Sequence, residues 1–519
     1  MSHVLALHDS HNASICEMNK GNIIYFQEAE RLNKEKQSTD WKILLNKYEN
    51  KFFDKIIFVR SGYTEDKVPI IILENLLKKL NISYENLIIE NFNHHFFHAC
   101  CAFFNSGLKK SYVLVTDGSG SKKKVNEFYS SEIVSLYYFN KNKFKKIFQL
   151  HCCPEDIISK KDVYLNTISL GMYFEFVMRI LKLKEPGSVM GFSSYGKEIV
   201  NDLPYLFRKK SNHFQSIPHS MLEMIRQAKL NKKFEICVRA QQELEYIILS
   251  YVENILKNKK RNICVSGGIF QNTVLNSKIL DVCPDLYVDP FADDSGLSMG
   301  AALWHSNKNK FNIKKINNLY LGDSPNYNDL PKDKGIVVTP KRVAEYISQG
   351  NIVAIYQGKN EMGKRALGNR SFLFDPRDPY AKDKMNLLKN REWFRPTAGT
   401  ILHEHAHEWF DLKSKKETPF MSYVFKLKKN DVPGITHIDN TCRIQTLKKE
   451  ENYHYYNLIN EFYKITNVPI LLNTSFNLAG EPLVNSIYDA VETLINCDNK
   501  FNVIYFPEIS KIYETHDFL

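Results

Sequence analysis

Two histidines spaced four residues apart are the first side chains whose types and spacing could do chemistry. His94 and His98 stand in the aromatic segment Asn93–Ala99. On a helix, residues i and i+4 share a face, so the two imidazoles could bind one metal ion. No Glu follows His94, so this is not the HExxH helix of zinc proteases. Taken alone, such a pair is more often explained by packed or surface histidines.

Two aspartates stand at a predicted strand end and a predicted helix start. Asp117 opens the turn Asp117–Gly120 (DGSG) directly after the β-rich run Tyr112–Thr116. A carboxylate at the mouth of a parallel sheet, with glycines behind it, suits a site for metal and phosphate. Asp294 precedes the small-residue helix predicted over Met299–Trp304. The alternative for Asp117 is an ordinary Asp-Gly turn.

A glycine pair follows the next buried-strand pattern. Ser266–Gly268 (SGG) comes after the strand predicted at Asn262–Val265, and a helix is predicted from Gln271. Glycines without side chains let a nucleotide approach the backbone closely. For this motif alone, an ordinary strand-to-helix turn is the favoured reading.

Together, the two histidines and two aspartates would form a mixed nitrogen and oxygen site. That set suits a borderline divalent metal, Fe, Mn or Zn, rather than a structural thiolate zinc. The ten cysteines contribute no recognisable ligand spacing.

The C-terminal part has a different signature, in which arginines stand among Gly, Asn, Ser and Pro. Guanidinium groups match phosphates with two parallel hydrogen bonds, so several beside a Gly-rich turn suggest a site for a polyphosphate and a second small anion. A salt-bridged basic surface is the alternative. The motifs are Gln357–Lys359 (QGK), Glu361–Ser371 (EMGKRALGNRS), Arg391–Pro396 (REWFRP), His437–Asp439, Arg443–Gln445 and Leu472–Asn477 (LNTSFN).

Alternating strand-like and helix-like segments must position these residues, and they predict an α/β fold. The predicted strands of the first part are Val4–Leu7, Asn22–Glu28, Asp54–Val59, Tyr112–Thr116 and Asn262–Val265. The predicted helices are Ile70–Leu80, Leu165–Leu183 and Gln242–Leu256. Strands of the last part are predicted at Ile336–Thr339, Ile352–Gln357 and Val468–Leu472.

The length of 519 residues allows two to four domains, at about 150 residues each. Hydrophobic residues at 43% and charged residues at 25% are globular values that argue against a disordered chain. No apolar run approaches the roughly 18 residues that span a bilayer, and the start lacks a signal-peptide pattern. Free thiols in a reducing cytoplasm are the expected state of the ten cysteines.

A shift to Lys, Asn, Asp and Pro around residues 307–335 predicts a domain boundary, which gives domains 1–325 and 326–519. The formal net charge of +12 suits a polyanionic partner, although a Lys-rich composition alone explains it equally well.

The motifs in this order resemble the O-carbamoyltransferases of the nodulation-protein and cephalosporin-biosynthesis type. The resemblance covers nearly the whole length, and each motif alone is modest while their order is highly specific. Besides the segments above, it rests on Leu7–Ser10 (LHDS), Glu28–Arg31 (EAER), Val189–Gly196 (VMGFSSYG) and Asp293–Gly296 (DDSG).

This resemblance implies an actin-like N-terminal domain of the threonylcarbamoyl-transfer type and a YrdC-like C-terminal domain. Carbamoyl phosphate and ATP, with Mg²⁺, would form carbamoyl-adenylate in the C-terminal domain. The N-terminal domain would then transfer the carbamoyl group to an acceptor hydroxyl with the help of a metal, iron in family members, and release AMP.

The resemblance also assigns residues to these sites. His94, His98, Asp117 and Asp294 fall on the metal-ligand positions. The nucleotide-contacting loops would contain Gly118, Ser119, Gly267, Gly268 and Asn272. The carbamoyl phosphate and ATP motifs would contain Lys359, Arg365, Arg370, Arg395, His437, Arg443, Asn473 and Ser475. Ser188, Ser194 and Ala479 stand where the family usually has Lys, Pro and Arg, so this chain departs from the family pattern at three positions.

Transfer to a hydroxyl needs a general base, and we expect Asp9, with His8 beside it, in that role. The acceptor stays open. Lys122, Lys123 and Lys124 follow the glycine turn and could form a basic rim for DNA or a nucleotide with a hydroxymethylated pyrimidine. The alternatives are a solvated lysine surface and a sugar or natural-product hydroxyl as acceptor. A tRNA threonylcarbamoyl transferase and a non-catalytic actin-like protein are the rival function classes.

Overall fold

The computed structural model describes residues 3–61, 67–125, 127–158, 161–196, 203–210, 212–308, 311–497, 501 and 503–518. The chain divides into two compact units. The first contains residues 1–29 and 37–316, and the second contains residues 30–36 and 317–519. The short segment Glu30–Lys36 therefore belongs to the second unit although its neighbours in sequence belong to the first.

The first unit contains fifteen described strands and eight described α-helices. The strands are β1 (His3–His8), β2 (Ser14–Asn19), β3 (Asn22–Glu28), β4 (Phe52–Val59), β5 (Ser83–Glu90), β6 (Lys110–Thr116), β7 (Lys122–Val125), β8 (Phe128–Asn140), β9 (Lys143–Cys152), β10 (Ile157–Ile158), β11 (Asp162–Leu165), β12 (Phe207–Lys210), β13 (His213–Ser216), β14 (Ile263–Ser266) and β15 (Leu286–Val288). After α1 (Glu30–Asn33) of the second unit, the helices are α2 (Val68–Lys79), α3 (His94–Ser106), α4 (Leu170–Ile180), α5 (Gly187–Ser193), α6 (Pro218–Lys229), α7 (Lys233–Leu256), α8 (Thr273–Val282) and α9 (Gly296–Lys308).

Two sheets of the first unit share one strand pattern. The first has the order β3-β2-β1-β4-β5, with β1 to β3 antiparallel and β4 and β5 parallel to β1. The second contains the corresponding order β9-β8-β6-β14-β15, with antiparallel β6, β8 and β9 and parallel β14 and β15. This repeated topology confirms the predicted α/β class and agrees with the actin-like domain that the resemblance implied.

Helix α3 lies between the second sheet and α9, and all thirteen of its residues are buried. It ends where Gly107 adopts a left-handed conformation with φ of +70°. Gly300 of α9 lets the two helices touch, since a Cβ there would lie 2.0 Å from the carbonyl oxygen of Phe97. A larger residue at position 300 would push α3, which carries the two histidines, away from α9.

The second unit is built on a ten-stranded mixed sheet in the order β16-β25-β24-β17-β18-β23-β19-β22-β21-β20. This arrangement, with parallel and antiparallel neighbours and helices outside it, confirms the predicted α+β class. Its strands are β16 (Ile336–Val337), β17 (Val353–Tyr356), β18 (Arg370–Phe374), β19 (Ala398–Leu402), β20 (Phe410–Asp411), β21 (Val424–Leu427), β22 (Thr441–Leu447), β23 (Ile470–Ser475), β24 (Val503–Phe506) and β25 (Lys511–Glu514). Its further helices are α10 (Pro340–Ser348), α11 (Ala381–Leu388), α12 (Ala406–Trp409), α13 (Tyr453–Thr466) and α14 (Ile487–Ile495).

The segment Glu30–Lys36 is fixed within the second unit by side chains along its length. The buried Arg31 guanidinium donates a hydrogen bond to the carbonyl oxygen of Gly363, at 2.8 Å. Glu30 forms an ion pair with Lys364, and Lys34 forms ion pairs with two acidic residues of α14. The segment thereby contacts the loop that carries the Glu361–Ser371 motif.

Some predicted elements differ from the observed ones for local reasons. Leu165 ends strand β11, so the helix predicted from it begins only at Leu170, after Ser169 accepts a hydrogen bond from Met172 as the N-cap. The strand predicted at Ile336–Thr339 stops at Val337, because Thr339 caps α10 in the same way. The hairpins between β7 and β11 have mixed polar patterns and were not predicted.

All ten cysteines are free. Among the residues that the structure describes, no helix is both long and apolar enough to cross a membrane.

Candidate functional site

Four side chains predicted as metal ligands converge in the first unit. His94 Nε2 lies 3.2 Å from Asp117 Oδ2 and 3.3 Å from Asp294 Oδ1. His98 Nε2 lies 3.8 and 3.4 Å from the same two oxygens. One ligand atom from each of the four residues lies within 4.8 Å of the others. The structure thus brings together residues that are up to 200 positions apart in the sequence.

The fold explains why these four meet. His94 and His98 occupy the first and fifth positions of α3, so their rings share one face. Asp117 directly follows the last residue of β6, and Asp294 stands two residues before α9 begins at Gly296. Because β6, β14 and β15 are parallel, their carboxyl ends lie at one edge of the sheet, next to the start of α3.

Electrostatics make this cluster attractive to a cation. Burial and the charge of Asp294 would raise the pKa of Asp117, but the neighbouring imidazoles of His94 and His98 outweigh them and hold it below its usual range. Burial would lower the pKa of His94, yet the two carboxylates raise it to about 10. The two carboxylates therefore favour positive charge at this cluster.

The donor set fits a divalent metal. Two imidazole nitrogens and two carboxylates match the preferences of borderline metals. The buried His98 Nε2 satisfies no hydrogen bond within the described part of the chain, although it faces two carboxylates. A buried ring nitrogen left in this state is expected where a metal ion completes the site.

The outer nitrogens of both histidines contact serine hydroxyls. His94 Nδ1 lies 3.1 Å from Ser61 Oγ, and His98 Nδ1 lies 3.4 Å from Ser266 Oγ. Ser266 donates a hydrogen bond of 2.9 Å to Asp289 Oδ2. Such contacts orient metal-binding histidines. Sequence analysis missed Ser61 and Asp289; the available signal was that Ser61 stands two residues after the predicted strand Asp54–Val59 and that Asp289 directly follows β15.

The predicted base and its neighbour are both largely buried. His8 Nε2 contacts Ser61 Oγ at 2.9 Å, and burial lowers the pKa of His8 to about 3, so that the ring is neutral. Asp9 accepts a hydrogen bond from the backbone N–H of Ser61 at 3.1 Å and lies 3.6 Å from Arg60 Nε. Burial raises the pKa of Asp9, and these partners oppose the rise.

His11 is a further residue that sequence analysis did not select. Its Nε2 lies 3.2 Å from Asp294 Oδ2, and its side chain is 54% exposed. It is therefore a half-exposed imidazole beside the buried cluster. The spacing His8-Asp9-Ser10-His11 was the available signal, since three of these four residues can move protons.

The glycine loops allow close backbone approach at the same edge. Gly267 has φ of +100°, and a Cβ there would lie 2.2 Å from the carbonyl oxygen of Thr116. Gly268 donates its N–H to Asp117 Oδ1 at 3.1 Å, while a Cβ on Gly118 would meet nothing within 4 Å. The predicted loop residues Gly118, Ser119, Gly267, Gly268 and Asn272 therefore lie around the ends of β6 and β14, with Ser119 exposed.

Asn272 has a clear local role. It is the N-cap of α8, where its side chain accepts a hydrogen bond from the N–H of Leu275 at 3.0 Å. Its amide also donates to Gln241 at 2.8 Å. The residue thus fixes the helix that follows the glycine pair.

The lysines predicted as an acceptor rim lie on β7, which pairs with β8. Lys123 and Lys124 are exposed, and Lys122 is half-buried.

In the second unit, several predicted arginines lie close together. Burial, followed by the charges of Arg365, Arg391 and Arg395, holds the pKa of Arg443 well below its usual range. Like charges gathered in a buried place destabilise one another, so an anionic ligand would relieve the repulsion. Of this group, Arg391 lies in the Arg391–Pro396 motif but was not among the predicted site residues.

Lys389 is a buried amine that sequence analysis missed. Its Nζ donates hydrogen bonds to the carbonyl oxygen and hydroxyl of Ser475 and to the carbonyl and side-chain oxygens of Asn477. Burial and the charges of Arg391, Lys36 and Arg395 hold its pKa well below its usual range. Its position two residues before the Arg391–Pro396 motif was the only local signal.

Other predicted residues of this unit have structural contacts. Arg370 is fully buried, and its guanidinium donates to the carbonyl oxygens of residues 357, 358 and 369. Asn473 donates to the carbonyl oxygen of Ala366 at 3.2 Å, and His437 Nε2 contacts that of Thr397 at 3.0 Å. The side chain of Lys359 is exposed.

The three departures from the family pattern have defined places. Ser188 is buried in α5, and Ser194 is the C-cap residue of that helix. Ala479 donates its N–H to the carbonyl oxygen of Lys389 at 2.9 Å. A missing arginine at position 479 therefore falls next to the buried amine.

Two family descriptions match the sequence. Residues 8–303 match the carbamoyltransferase N-terminus, and residues 344–509 match the carbamoyltransferase C-terminus. The nodulation protein NolNO of Sinorhizobium fredii is 31% identical over 445 residues, which are 78% of this chain and 62% of NolNO. An uncharacterised protein of Methanocaldococcus jannaschii, MJ1051, is 31% identical over 95% of this chain and 97% of its own length. Among solved structures, T. kodakarensis HypF matches 60% of this chain and 48% of its own, with 11% identity and a TM-score of 0.40.

Proposed function

The chain belongs to the carbamoyltransferase family, and on that premise we propose that it carbamoylates a hydroxyl group at the expense of carbamoyl phosphate and ATP. Carbamoyl phosphate, ATP and one water would give carbamoyl-adenylate, pyrophosphate and phosphate in the second unit. An acceptor hydroxyl would then attack the carbamoyl carbon in the first unit, and AMP would leave.

The observation that carries this proposal is the buried cluster of His94, His98, Asp117 and Asp294 beside the glycine loops. A metal ion held there, with iron as the first candidate and Mn or Zn as others, would polarise the carbamoyl carbonyl and orient the leaving AMP. Backbone N–H groups around Gly118 are suited to the phosphate of the adenylate, while the N–H of Gly268 holds Asp117.

Proton transfer in the first unit is proposed for Asp9. As the acceptor hydroxyl attacks, Asp9 would take its proton, because an alcohol is a poor nucleophile until it loses that proton. Arg60 and the N–H of Ser61 would hold the carboxylate in place. His8 would stay neutral and orient Ser61.

Binding of the two anionic substrates is proposed for the second unit. Arg365, Arg395 and Arg443, joined by Arg391 and Lys389, form a positively charged group that suits the triphosphate of ATP and the phosphate of carbamoyl phosphate. Lys359, His437, Asn473 and Ser475 belong to the same proposed site. Arg370 would act through the loop that it holds rather than through a phosphate.

Partial reactions test the adenylate step. Purified protein is incubated with ATP, carbamoyl phosphate and labelled pyrophosphate, and label entering ATP is measured. Arg443→Gln should lower the exchange at least about 100-fold, since a charge-assisted contact to a phosphate is lost. Arg342→Gln, an exposed arginine of α10, is the matched control and should exchange like the unchanged protein. Exchange that does not depend on carbamoyl phosphate would contradict the proposal.

The acceptor is proposed to be either a hydroxymethylated pyrimidine in DNA or a nucleotide, or a sugar or natural-product hydroxyl. Exposed Lys123 and Lys124 favour the polyanionic acceptor. Labelled carbamoyl phosphate is offered with DNA that carries hydroxymethylated bases and, separately, with nucleosides, sugars and small alcohols. Loss of DNA labelling in the Lys123→Gln, Lys124→Gln variant, but not in a Lys143→Gln, Lys145→Gln control on β9, would support the rim. Labelling of small alcohols alone would contradict it.

The two rival classes make different predictions. A tRNA threonylcarbamoyl transferase would modify tRNA and would not need carbamoyl phosphate. A non-catalytic actin-like protein would bind a nucleotide but would retain no metal at His94, His98, Asp117 and Asp294. Metal analysis of the purified protein and the exchange assay therefore separate all three.

A further inference from the structure

The two histidines of the proposed metal site differ in the hydrogen-bond partners that lie beyond their Nδ1 atoms. The Nδ1 atom of each ring contacts a serine hydroxyl. His94 contacts Ser61, and His98 contacts Ser266. Behind Ser61 stands the imidazole of His8, at 2.9 Å. Behind Ser266 stands the carboxylate of Asp289, also at 2.9 Å. The serines follow or end β4 and β14, which occupy equivalent places in the two sheets.

The carboxylate fixes the direction of the hydrogen bonds at His98. An ionised carboxylate only accepts, so the single O–H of Ser266 must donate to Asp289 Oδ2. The hydroxyl can then only accept from His98, which requires the ring hydrogen on Nδ1. That tautomer leaves the lone pair of His98 Nε2 directed at the cluster, where the buried nitrogen satisfies no hydrogen bond within the described residues.

No such direction is fixed at His94. The neutral imidazole of His8 can either donate to Ser61 or accept from it, depending on its tautomer. Both orders of hydrogen bonds along His8, Ser61 and His94 are therefore allowed. The surrounding hydrogen bonds therefore fix the tautomer of His98 but not that of His94.

We propose that Ser266 and Asp289 are positioning residues that form a relay, in which the carboxylate fixes the hydroxyl and the hydroxyl fixes the metal-binding tautomer of His98. The inference rests on the proposed metal site and deepens it. All three side chains are buried, so water does not compete with the relay. A carboxylate behind a histidine also makes the ring a better donor to a metal.

Asp289 also makes a second contact, and its effect on metal binding must be separated from the effect through Ser266. Its Oδ1 accepts a hydrogen bond of 3.1 Å from the N–H of Phe291, in the turn that leads to Asp294. Loss of Asp289 could therefore weaken metal binding by moving Asp294 rather than by releasing His98. Within the described part of the chain, the Ser266 hydroxyl hydrogen-bonds to Asp289 and His98 and not to that turn, so the two single variants and their combination distinguish the cases.

Cobalt(II) binding to the metal-free protein tests the relay without any need for catalysis. Ser266→Ala should raise the dissociation constant for cobalt about 10- to 100-fold and should change the visible absorption of the bound ion, because one ligand ring is no longer fixed. Asp289→Asn should have an effect of similar direction. The double variant should be no weaker than the weaker single variant, since Ser266 and Asp289 act in series.

Ser111→Ala is the matched control. Ser111 is a buried serine on β6 whose hydroxyl contacts Cys264 of β14 and two carbonyl oxygens, at the end of the strands away from the cluster. It should bind cobalt like the unchanged protein. Thermal unfolding of each metal-free variant shows whether a loss of affinity accompanies a loss of fold.

Three outcomes would overturn the relay. In the first, Ser266→Ala binds cobalt as tightly as Ser111→Ala and with the same spectrum. In the second, the Ser266 and Asp289 effects add in the double variant, which means that they act independently. In the third, the unchanged protein binds no cobalt, which overturns the proposed metal site together with the relay; in the first two outcomes the metal site itself survives.

Discussion

The two sheets of the first unit share a strand order but not a chemistry. Asp9 follows β1 and Asp117 follows β6, at equivalent points of the two sheets. Asp9 faces Arg60, whereas Asp117 faces His94, His98 and the N–H of Gly268. The same backbone position therefore gives a carboxylate held by a guanidinium in one sheet and a proposed metal ligand in the other.

The loops beside each aspartate account for the difference. After β4 the chain continues with Arg60 and Ser61, whose side chains and N–H groups fill the space near Asp9. After β14 it continues with Gly267 and Gly268, which bring backbone to the equivalent place. Side chains fill the space beside Asp9, where we propose proton transfer, and their absence beside Asp117 leaves the space that we propose for a nucleotide.

The largest expected effect comes from making the same Asp→Asn substitution at Asp117 and at Asp9. Asp117→Asn removes a charged side chain from the proposed metal site, so we expect the protein to lose metal at least about 100-fold more readily. Asp9→Asn should keep its metal and its pyrophosphate exchange but lose about 100- to 10,000-fold in transfer. Metal analysis, exchange and carbamoyl transfer are measured on both variants. Full transfer by Asp9→Asn would remove Asp9 from the role of base.

A second prediction contrasts two glycines of the second sheet. Gly267→Ala should lower the free energy of unfolding by at least about 2 kcal/mol, because it forces a positive φ and a clash with the carbonyl of Thr116. Gly118→Ala should leave stability unchanged, since its Cβ meets nothing within 4 Å, yet should weaken nucleotide binding by filling that space. Denaturant unfolding and nucleotide titration check the pair. Unchanged nucleotide affinity in Gly118→Ala would show that the nucleotide lies elsewhere.

A third prediction concerns the pH profile of transfer. The charge of Arg60 favours the ionised form of Asp9 and so opposes the rise in pKa that burial causes. Arg60→Gln should therefore raise the pKa of Asp9 further and move the acid limb of the transfer rate to higher pH. The rate is measured from pH 5 to 9 with carbamoyl-adenylate formation kept in excess. An acid limb that stays in place would separate Asp9 from the rate-controlling proton.

The smallest effect concerns the carboxylate at the end of β5. Burial would raise the pKa of Glu90, but its hydrogen bond with His305, at 2.7 Å, outweighs burial and lowers it. Glu90 therefore contributes stability above the ordinary pKa of a glutamate and loses it as the pH falls through the lowered value. Glu90→Gln should cost about 1 kcal/mol near neutral pH and progressively less below about pH 4. Glu74→Gln, on the exposed side of α2, is the control and should show no such dependence.

Much of the fold and part of the candidate site could be predicted from the sequence. The strand Asn22–Glu28 has the predicted bounds, because its neighbours are turns and its apolar pattern is clear. His94, His98, Asp117 and Asp294 could be selected because local pattern placed each at a helix face or an element end. The structure brings them together; their role as metal ligands stays a prediction.

The missed residues depend on partners far away in sequence. Asp289 matters through Ser266, and Lys389 through a loop 86 residues further on. The local signals are weak, since Asp289 only follows a strand and Lys389 only precedes the Arg391–Pro396 motif. Arg370 shows the opposite case, since a motif arginine that could bind phosphate donates instead to carbonyl oxygens of its own loop.

The membership of Glu30–Lys36 in the second unit has a consequence in time. Arg31 leaves the ribosome 332 residues before its partner Gly363. At about 5–20 residues per second, this separation corresponds to roughly 17 to 66 seconds of synthesis. During that interval β1 to β5 can assemble, but the residues that α1 contacts have not yet been synthesised. The segment must therefore stay undocked between β3 and β4. The second unit is therefore completed with a segment that is synthesised long before the rest of that unit.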